Sequence, residues 1–594
     1  MKPQIHSSLK LSLNLVSIFT GLFCLLALAL YQPVLAQTQL GADINGEAGG
    51  DYSGWSISLS SDGNRVAIGA HGNDGNGVDS GHVRVYQWSG TDWTQLGADI
   101  DGEAAGDGSG ASVSLSSDGN RLAIGAPYNG DDLVYSSQVL ANQDNSSKVL
   151  ANQNNAGHVR VYQWSGTAWE QLGADIDGEA AGDQSGYSVS LSSDGNRLAI
   201  GAPNNDGNGI TSGHVRVYHW SGTAWAQLGE DINSESVHDA SGGSVSLSSD
   251  GNRLAIGATW NDDNGVDSGH VRVYQWSSIA WEQIGADIDG ESAGDYSGVV
   301  SLSSDGNRLA IGASGNDDNG KSSGHVRVYQ WTDPAWAQLG VDIDGEAAGD
   351  NSGGSVSLSS DGNRLAIGAP ANDGNGHTSG HVRIYHWSDS AWVQIGVDID
   401  GEAAGDVSGT SVSLSSDGNR LAIGAPGNLD GKGVDSGYVR AYDLSMFNIF
   451  QINPGLNDAW YYEPTSGQGF FITVFPDLGA VSLAWFTYDT ELPPLDALSN
   501  LGDPGHRWLT AVGPIDGNKA VMEIEMTSGG IFDTASIIER TDPPGSDGTI
   551  ILTFDSCNSG TIEYDIPSID RQGIIPIVRV ANDNIVICEA LKAN

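Results

Sequence analysis

Basic residues are scarce in this chain of 594 residues. There are 25 Lys and Arg against 74 Asp and Glu, which gives a formal net charge of −49. Affinity for nucleic acid depends on basic side chains that neutralise phosphates, and anionic membrane surfaces attract basic proteins for the same reason. The composition therefore excludes a nucleic-acid-binding protein and a protein that binds an anionic membrane.

Long apolar runs are almost as scarce. The one that could span a membrane covers residues 11–30, follows two lysines, and precedes Val34 and Ala36 at positions −3 and −1 of a cleavage site. This pattern predicts a secretory signal peptide over residues 1–36. An uncleaved membrane anchor is the alternative, because the run approaches the ~20 residues that span a bilayer. We expect a secreted or periplasmic protein with no segment left in the membrane after cleavage.

Cysteine is also rare, with three residues in the whole chain. Cys24 lies inside the predicted signal peptide, so Cys557 and Cys588 remain in the exported protein. An even number of cysteines in an exported chain predicts a disulfide. A metal-binding pair is the alternative, although no His or third Cys lies near either residue in the sequence.

Glycine, by contrast, is abundant, with 83 residues, about twice the usual ~7%, and a repeated unit contains most of it. The string Ser-Asp-Gly-Asn-Arg occurs seven times, at spacings of 55 or 56 residues and one of 76. The long spacing holds a polar insertion at about residues 131–150, which we interpret as a surface loop. The repeated aspartates are Asp62, Asp118, Asp194, Asp250, Asp305, Asp361 and Asp417.

Each repeat has the pattern of four short strands. In the third copy, residues 188–192 alternate apolar and small side chains, a tight Asp-Gly-Asn turn follows, and three further strands cover 197–202, 214–220 and 225–232. Seven such units predict an all-β fold, a seven-bladed β-propeller with four strands per blade over residues 37–444. A linear solenoid is the alternative, but without capping repeats it would expose apolar end faces.

The two ends of the repeat array favour a closed ring. The fourth-strand signature Gln-Leu/Ile-Gly also occurs seven times, but its first copy, at Gln39, precedes the first strand of blade one. The last blade ends at Tyr442 without a clear copy. We therefore expect residues 38–44 to complete blade seven, with residues 447–452 as the alternative closing strand.

Three segments of the sixth repeat carry a family resemblance: Ser352-Gly-Gly-Ser-Val-Ser-Leu, Leu365-Ala-Ile-Gly-Ala-Pro370 and Gly380-His-Val-Arg-Ile-Tyr385. The unit resembles the FG-GAP repeat of integrin-α-type propellers, and the resemblance covers about 400 residues in all seven copies. It implies a seven-bladed propeller used in extracellular recognition and cell adhesion. Here Ser replaces the Phe before the first Gly, and the Asp-rich calcium loop between strands one and two is reduced to Ser-Ser-Asp-Gly-Asn. The calcium ligands of the family are therefore not carried over.

The longer loops should lie together on one face of the propeller. Antiparallel strands alternate in direction, so the 2–3 and 4–1 loops share one face and the tight 1–2 and 3–4 turns share the other. All the long, acid-rich loops and the blade-two insertion then lie on the first face. Because loops on a rigid scaffold usually carry binding residues, this is the predicted functional face.

Acidic residues recur at fixed positions of the 4–1 loops. Hard oxygen donors at positions 1, 3, 5 and 9, with Gly nearby, suit calcium. The alternative is that Asp and Gly only build turns and keep the protein soluble. The candidate calcium ligands are Asp99, Asp101, Glu103, Asp107, Asp175, Asp177, Glu179, Asp183, Asp287, Asp289, Glu291 and Asp295.

Three other residue types recur in nearly every blade, and we interpret them as structural. A His begins the third strand of six blades, as His82 does in blade one. Arg84, Arg65 and their equivalents are expected to pair with acidic residues of adjacent blades. Trp pairs such as Trp164 and Trp169 flank the 3–4 turns, where we expect them to fasten the core rather than to form a platform for sugars.

The composition changes after about residue 444, where Gly becomes less frequent and aromatic residues cluster. Eight or nine antiparallel strands predict a small β-barrel or sandwich over residues 445–594. The segment from Asn453-Pro-Gly-Leu-Asn-Asp-Ala-Trp460 to Asp489 resembles a C-terminal module that recurs in exported bacterial proteins, and the resemblance implies no function. The predicted strands are 460–462, 469–475, 481–488, 507–513, 519–527, 548–556, 560–566, 573–580 and 583–589.

No nucleophile–base pair, zinc spacing or phosphate loop stands out, and the candidate groups recur around the ring, whereas catalysis usually needs one asymmetric constellation. We therefore expect a secreted, monomeric, non-catalytic recognition or adhesion protein. Its acidic loop face would bind an extracellular protein or glycan, with calcium as the one candidate cofactor. The alternative is a polysaccharide-degrading enzyme that uses the propeller axis or the C-terminal domain. Trp260 and His238 come closest to blade-specific groups.

Overall fold

The computed structural model describes residues 37–130, 155–388, 391–427, 433–445, 452–465, 468–488, 506–525, 527–528, 539–540, 548–581 and 584–592. The predicted signal peptide and blade-two insertion lie outside these residues. The chain forms two compact units, one of Met1–His386 and Ala391–Leu444 and one of Trp387–Ser390 and Ser445–Asn594. Among the described residues, no helix has the length and apolar character needed to cross a membrane.

The first unit is a seven-bladed β-propeller, which confirms the predicted all-β fold. In each blade, strands one, two and three are antiparallel neighbours, and the outer strand consists of two short pieces that both pair with strand three. The strands of blade one are Ser56–Leu59, Arg65–Ala70, His82–Trp88, Trp93–Gln95 and Ile100–Asp101. Those of blade two are Ser112–Leu115, Arg121–Ala126, His158–Trp164, Trp169–Gln171 and Ile176–Asp177, and those of blade three are Ser188–Leu191, Arg197–Ala202, His214–Trp220, Trp225–Gln227 and Ile232–Asn233.

The remaining blades repeat this plan with the same strand order. Blade four contains Ser244–Leu247, Arg253–Ala258, His270–Trp276, Trp281–Gln283 and Ile288–Asp289. Blade five contains Ser297–Leu302, Arg308–Ala313, His325–Thr332, Ala335–Gln338 and Ile343–Asp344, and blade six contains Ser355–Leu358, Arg364–Ala369, His381–Trp387, Trp392–Gln394 and Ile399–Asp400. Blade seven contains Ser411–Leu414, Arg420–Ala425 and Tyr438–Asp443, together with Thr38–Gln39 and Ile44–Asn45 from the other end of the chain.

The hydrophobic core of the propeller lies between neighbouring blades. Val159 and Val161 of blade two pack with Val189 and Leu198 of blade three, and the same cluster recurs around the ring. The sheet lies between two blades, so strand two is buried on both faces: Leu198 packs against blade two and Ala199 against blade four. This packing explains why Arg-Leu-Ala-Ile-Gly-Ala reads as a continuous apolar run rather than an alternating one.

A closed ring of backbone hydrogen bonds links the seven 1–2 turns. The amide of Ser61 donates to the carbonyl of Ser117 at 2.9 Å, and each following blade repeats the bond until Ser416 donates to Ser61 at 2.9 Å. The ring residues are Ser61, Ser117, Ser193, Ser249, Ser304, Ser360 and Ser416. The blades are therefore tied to one another by main chain as well as by side-chain packing.

The N-terminal segment completes blade seven, which confirms the predicted closure. Thr38–Gln39 and Ile44–Asn45 both pair antiparallel with Tyr438–Asp443. The amide of Leu40 donates to Ala441 and that of Gly46 to Gly437, both at 2.8 Å. Of the rival segment 447–452, all but the last residue lie outside the described residues.

The second unit is a closed, eight-stranded antiparallel barrel. Its strands are Asp458–Tyr461, Gly469–Phe475, Ala480–Tyr488, His506–Asp516, Lys519–Glu525, Thr549–Ser556, Ser559–Ile566 and Arg571–Arg579, with a separate pair Thr527–Ser528 and Glu539–Arg540. Short 3₁₀ helices cover Pro454–Leu456, Glu463–Thr465, Pro476–Leu478 and Pro567–Ile569. Of the two predicted folds, barrel and sandwich, the structure therefore has the barrel.

The predicted strand at 583–589 is wrong, because Ile585–Lys592 forms an α-helix. The segment alternates poorly: Ile585 and Cys588 face the core, whereas Ile587 is exposed. A spacing of three between core residues fits a helix. The following Glu-Ala-Leu-Lys run consists of strong helix formers, so the helical period prevails over the short apolar pattern.

The Asn453-to-Trp460 motif packs against this helix and has a structural role. A Cβ on Gly455 would lie 2.3 Å from the Cα of Cys588, so only glycine fits there. The buried Arg579 donates to the carbonyl of Gly455 at 2.6 Å and to Asp458 at 2.7 Å. Its guanidinium also lies 4.7 Å from the ring centre of Trp460. These contacts tie the start of the barrel to its last strand and to the helix.

If the N-terminal strand is an integral part of blade seven, Ile44→Ala should destabilise the propeller as much as Ile100→Ala. The two residues occupy equivalent places and are both 6% exposed, and truncation of a buried Ile costs about 2–5 kcal/mol. Urea denaturation would measure both. Deletion of residues 37–46 should in addition leave an open strand edge and promote aggregation. A neutral Ile44→Ala and a monomeric deletion variant of unchanged melting temperature would contradict the closure.

The structure joins Cys557 and Cys588, 31 residues apart, in the predicted disulfide. Closing a loop of this length should stabilise the barrel by about 3–4 kcal/mol on the chain-entropy estimate. The double variant Cys557→Ser/Cys588→Ser should show that loss in denaturant unfolding of the barrel. Titration of two free thiols in the non-reduced, exported protein would refute the bond.

Candidate functional site

The 2–3 and 4–1 loops lie together on one face, as the strand directions predicted, and we call this the loop face. The 2–3 loop of blade one bonds to the 4–1 loop that leaves the same blade: Gly106 donates to Val78 at 2.9 Å and Gly108 to Asp79 at 3.0 Å. The amide side chain of Asn76 donates to Gly102 at 2.9 Å. The repeats hold the two loops of each blade together mainly by backbone.

The carboxylates predicted to share one calcium ion do not converge within a loop. Asp107 is buried, and its Oδ2 accepts the amide of Ala104 at 2.8 Å, so it closes the loop on itself. Asp101 is exposed on the last strand piece, and Asp99 accepts from the side chain of Gln95 at 2.6 Å. Glu103 reaches forward to blade two. Asp175, Asp177, Glu179 and Asp183, and Asp287, Asp289, Glu291 and Asp295, occupy the same places in their loops.

The carboxylates meet across blades instead. Glu103, from the loop that enters blade two, joins His158 at the start of strand three and Asp175 between the two pieces of the outer strand, with one ligand atom of each within 4.8 Å of the others. We call these sets interblade clusters. Two others of this kind are Glu47, His82 and Asp99, and Glu179, His214 and Asp231, and a larger one contains Glu291, Asp318, His325 and Asp342. A further set, Asp263, His270 and Asp287, lies within blade four alone.

The histidines of these clusters are buried and uncharged at neutral pH. Burial, followed by the neighbouring Arg160, lowers the pKa of His158, and the nearby carboxylates do not compensate. The same causes act on the equivalent residues of the other blades, such as His82. A neutral imidazole fits the structural role predicted for these residues, and it is also the form that binds metal ions.

The strand-three arginines pair with acidic residues of adjacent blades, as predicted. Arg84 lies 3.6 Å from Glu47, and the equivalent pairs recur around the ring. The Arg65 group also acts on adjacent blades. Arg65 donates to the carbonyl of Gly119 at 2.9 Å and to the side-chain oxygen of Asn120 at 2.6 Å. Burial raises the pKa of Asp118 in the same turn, but hydrogen bonds within the turn and the charge of Arg65 bring it below its usual range. This arginine therefore acts on an acidic residue of the next blade, while these hydrogen bonds go to neutral oxygens.

The 1–2 turns do not fit the calcium loop of integrin-type repeats. Each has one carboxylate, and Asp62 uses both oxygens within the turn, accepting from Ser60 at 2.6 Å and from the backbone and side chain of Asn64. Burial alone would raise the pKa of Asp62, but these hydrogen bonds bring it below its usual range. These turns therefore do not offer the oxygen ligands that a calcium ion needs.

The Trp pairs fasten neighbouring blades, as predicted. The rings of Trp164 and Trp169 are 5.4 Å apart and tilted. The indole of Trp169 donates to the carbonyl of Leu96 in the preceding blade at 2.9 Å. These partly buried rings support the outer strand and do not form an open platform.

The sequence analysis missed a pair of positions that places aromatic rings on the loop face. The first position directly follows the buried Asp of the 4–1 loop. The second position lies two residues after the end of strand two. In every blade the amide of the residue at the second position donates to the carbonyl of that buried Asp, as Tyr128 does to Asp107 at 3.3 Å. The seven pairs are Tyr52 and Gly72, Gly108 and Tyr128, Gln184 and Asn204, Ala240 and Trp260, Tyr296 and Gly315, Asn351 and Ala371, and Val407 and Gly427.

The aromatic residue stands at the first position in some blades and at the second in others. Where one carries an aromatic ring, the other is Gly or Ala, and the small residue leaves room for the ring. A Cβ on Gly108 would lie 2.8 Å from Cδ2 of Tyr128, and one on Gly315 would lie 2.5 Å from Cδ2 of Tyr296. The aromatic ring thus occupies the same place whichever of the two loops supplies it. Comparing the repeats pairwise could have revealed this swap.

The first position has a backbone conformation that disfavours large side chains. Its φ is positive in all seven blades, for example 54° at Tyr52, 53° at Tyr296 and 55° at Val407. Non-glycine residues in this region cost about 1–3 kcal/mol and cluster at functional sites. The positive φ is kept whichever side chain is present, so it belongs to the loop rather than to the aromatic ring.

The exposed rings occupy blades one to five and make the symmetric propeller asymmetric. Trp55 is 44% exposed, Tyr128 38%, Tyr187 46%, Trp260 50% and Tyr296 40%. We call these five residues the aromatic arc. The predicted blade-specific residue Trp260 belongs to it, and His238 lies on the same face, with Nδ1 2.9 Å from the hydroxyl of Thr211. The corresponding positions in blades six and seven carry Asn351, Ala371, Val407 and Gly427.

The propeller axis offers little space for a substrate. A cavity of about 140 Å³ there is lined by Leu and Ser of the seven blades, including Leu59 and Ser61. Ligand pockets are usually about 300–1,000 Å³. None of the lining residues is an acid, a base or another titratable group.

The comparison with known families decides what the repeats are. The FG-GAP repeat family matches residues 44–86 and 175–218. These two segments are FG-GAP repeats, and the other blades share their sequence pattern. No curated protein matches the sequence. Among solved structures, the FG-GAP propeller is similar to Kuenenia stuttgartiensis hydrazine synthase, with 12% identity over 65% of this chain and 94% of that one (TM-score 0.41), and to the RRP9 WD40 repeats, with 12% identity over 69% and 99% (TM-score 0.40).

Calcium binding at the loop face stays a prediction, and the structure changes which variants test it. Carboxylates held a few ångströms apart repel each other, and an ion that binds only the folded protein stabilises it by about 2.7 kcal/mol at 100-fold above Kd. Millimolar calcium should therefore raise the melting temperature more than sodium chloride of equal ionic strength. Glu103→Gln/Glu179→Gln should reduce that gain, and Glu170→Gln/Glu282→Gln, on exposed outer strands, should not. Equal melting curves in both salts would leave the loops as turns and solvating charge.

Proposed function

We propose that this FG-GAP propeller is a secreted, non-catalytic recognition protein that binds a glycan through its loop face. The aromatic arc is the observation that carries the proposal. Five exposed rings lie on one face, and at Tyr128, Trp260 and Tyr296 a Gly or Ala at the paired position leaves room for the ring. FG-GAP repeats are typical of extracellular proteins, and the Cys557–Cys588 bond suits an oxidising compartment.

The chemistry of the loop face favours a sugar ligand over a protein. The core of a protein–protein interface is usually depleted of charged residues, whereas acidic residues surround the aromatic arc. Sugar rings have apolar faces that pack on aromatic rings, and their hydroxyl groups donate hydrogen bonds to carboxylates. Exposed Glu47 and Glu103 are repeated acceptors of this kind in the 4–1 loops.

The aromatic arc would direct a glycan to blades one to five of the propeller. In blade one, Trp55 and Tyr52 both lie against His71, with ring centres 4.6 and 5.3 Å from it. This three-ring group sits at one end of the arc, and Tyr296 of blade five sits at the other. A chain of several sugar units could contact successive blades, which would add weak contacts into one stronger interaction.

A glycan array with the purified protein tests the proposal. We expect a restricted set of glycans to bind, and Tyr128→Ala and Trp260→Ala each to weaken binding roughly 2- to 10-fold, since a stacked aromatic contact contributes about 0.5–1.5 kcal/mol. Ile279→Ala is the matched control, because Ile279 is 83% exposed but belongs to a 3–4 turn on the opposite face. Its binding should equal that of the unaltered protein.

Several outcomes would contradict the proposal. Binding that survives both arc variants, or that disappears in Phe471→Ala on the barrel, would place the ligand elsewhere. Release of new reducing ends from a bound glycan would favour the polysaccharide-degrading enzyme. Capture of an extracellular protein with no glycan bound would favour an adhesion surface for proteins.

A further inference from the structure

We propose that Glu291, Asp318, His325 and Asp342 form a binding site for a divalent transition metal such as Zn²⁺, between blades four and five. Glu291 comes from the loop that enters blade five, and Asp342 lies between the two pieces of that blade's outer strand. Asp318 lies in the 2–3 loop of the same blade, and His325 begins its third strand. One ligand atom of each of the four residues lies within 4.8 Å of the others.

The state of His325 points independently to a ligand. The side chain is fully buried, and neither ring nitrogen has a hydrogen-bond partner. Its Nδ1 lies 3.9 Å from Oδ2 of Asp318, which is too long for a hydrogen bond. Two ligands of one tetrahedral zinc, each about 2.0–2.1 Å from the ion, lie about 3.3 Å apart. A shift of a few tenths of an ångström would bring both atoms into a shared coordination shell.

Blade five differs from blades one, three and six in its fourth ligand. The residue equivalent to Asp318 is Gly75 in blade one, Gly207 in blade three and Gly374 in blade six. These blades tolerate glycine there, so the backbone does not require the aspartate. Blade four also carries an aspartate, Asp263, at this place. Asp318 is therefore an addition to the recurring interblade cluster, and it completes a set of four ligands.

The surroundings hold the ligands and leave negative charge for a cation. Arg327 lies 3.5 Å from Oε1 of Glu291, and the side chain of Gln338 donates to Oδ1 of Asp342 at 2.5 Å. Each contact leaves the second oxygen of its carboxylate for a metal. Three carboxylates outnumber the one guanidinium, so a divalent cation balances the charge of the cluster.

The imidazole decides which metal the site prefers. Calcium takes six to eight oxygen ligands, whereas Zn²⁺ and Co²⁺ accept four ligands that include imidazole nitrogen. The site shares Glu291 with the predicted calcium ligands but favours a different metal, and it does not depend on the proposed glycan binding. A metal here would fasten two blades through ligands from both.

Cobalt and zinc titrations of the protein, first treated with EDTA, test the proposal. We expect Co²⁺ to give the visible absorption of a four-coordinate site and Zn²⁺ to displace it. Asp318→Gly should weaken the first equivalent of Zn²⁺ by about 10- to 100-fold or more, since loss of even an outer-shell partner has this effect. Asp318→Gly should still fold, because it restores the residue of blades one, three and six. Glu282→Gln, which removes the same charge from an exposed strand, should bind as the unaltered protein does.

Two results would overturn the site. Zinc affinity that is equal in Asp318→Gly and in the unaltered protein would show that the fourth ligand takes no part. Calcium that displaces cobalt as readily as zinc does would show that the cluster is a field of acidic charge rather than a metal site. Circular dichroism and the melting curve of Asp318→Gly separate a lost ligand from a misfolded blade.

Discussion

The pairing of the first described strand with the last blade is the constraint on which the propeller depends. Blade seven has its outer strand only if the two ends of the repeat array meet, and here Ile44 packs with Ile57 and Val66 of blade one while its strand pairs with blade seven. The N-terminal segment therefore belongs to two blades at once. Without it, blade seven would expose strand three and the core between blades seven and one would open.

Because the ring is closed, every blade has an equivalent neighbour on each side. Structural residues therefore recur in every blade, and residues that do not recur are candidates for function. The turn hydrogen bonds, the Arg–Glu pairs and the Trp contacts recur from blade to blade because each blade faces an equivalent neighbour. Features that do not recur in every blade are the candidates for function. The aromatic arc occupies blades one to five, and Asp318 adds a carboxylate at a place where blades one, three and six have glycine. Both departures lie on the loop face, where substitutions leave the interblade core intact.

Sequence periodicity was sufficient for the propeller, since hairpin turns, alternating strands and a displaced Gln-Leu-Gly copy together specify blade count and closure. It failed where contacts cross between repeats. The spacing of Asp99, Asp101, Glu103 and Asp107 along one loop predicted that they bind one calcium ion together. In the structure Glu103 instead contacts Arg160 of the next blade, and Asp107 accepts a hydrogen bond from within its own loop. It failed again at residues 585–592, where an apolar run too short to show its period forms a helix. The sequence did not reveal the paired positions of the aromatic rings, because the two positions lie in different loops that meet only in the folded propeller.

Amide hydrogen exchange of the folded protein tests the closure most directly. The amides of Leu40 and Gly46 bond to blade seven as those of Leu96 and Gly102 bond to blade one, at 2.7–2.8 Å in all four cases. If the N-terminal strand is an integral part of the ring, each closing amide should exchange as slowly as its equivalent, because both open only with the propeller. Fast exchange at Leu40 and Gly46, with full protection at Leu96 and Gly102, would show a ring that this strand does not close.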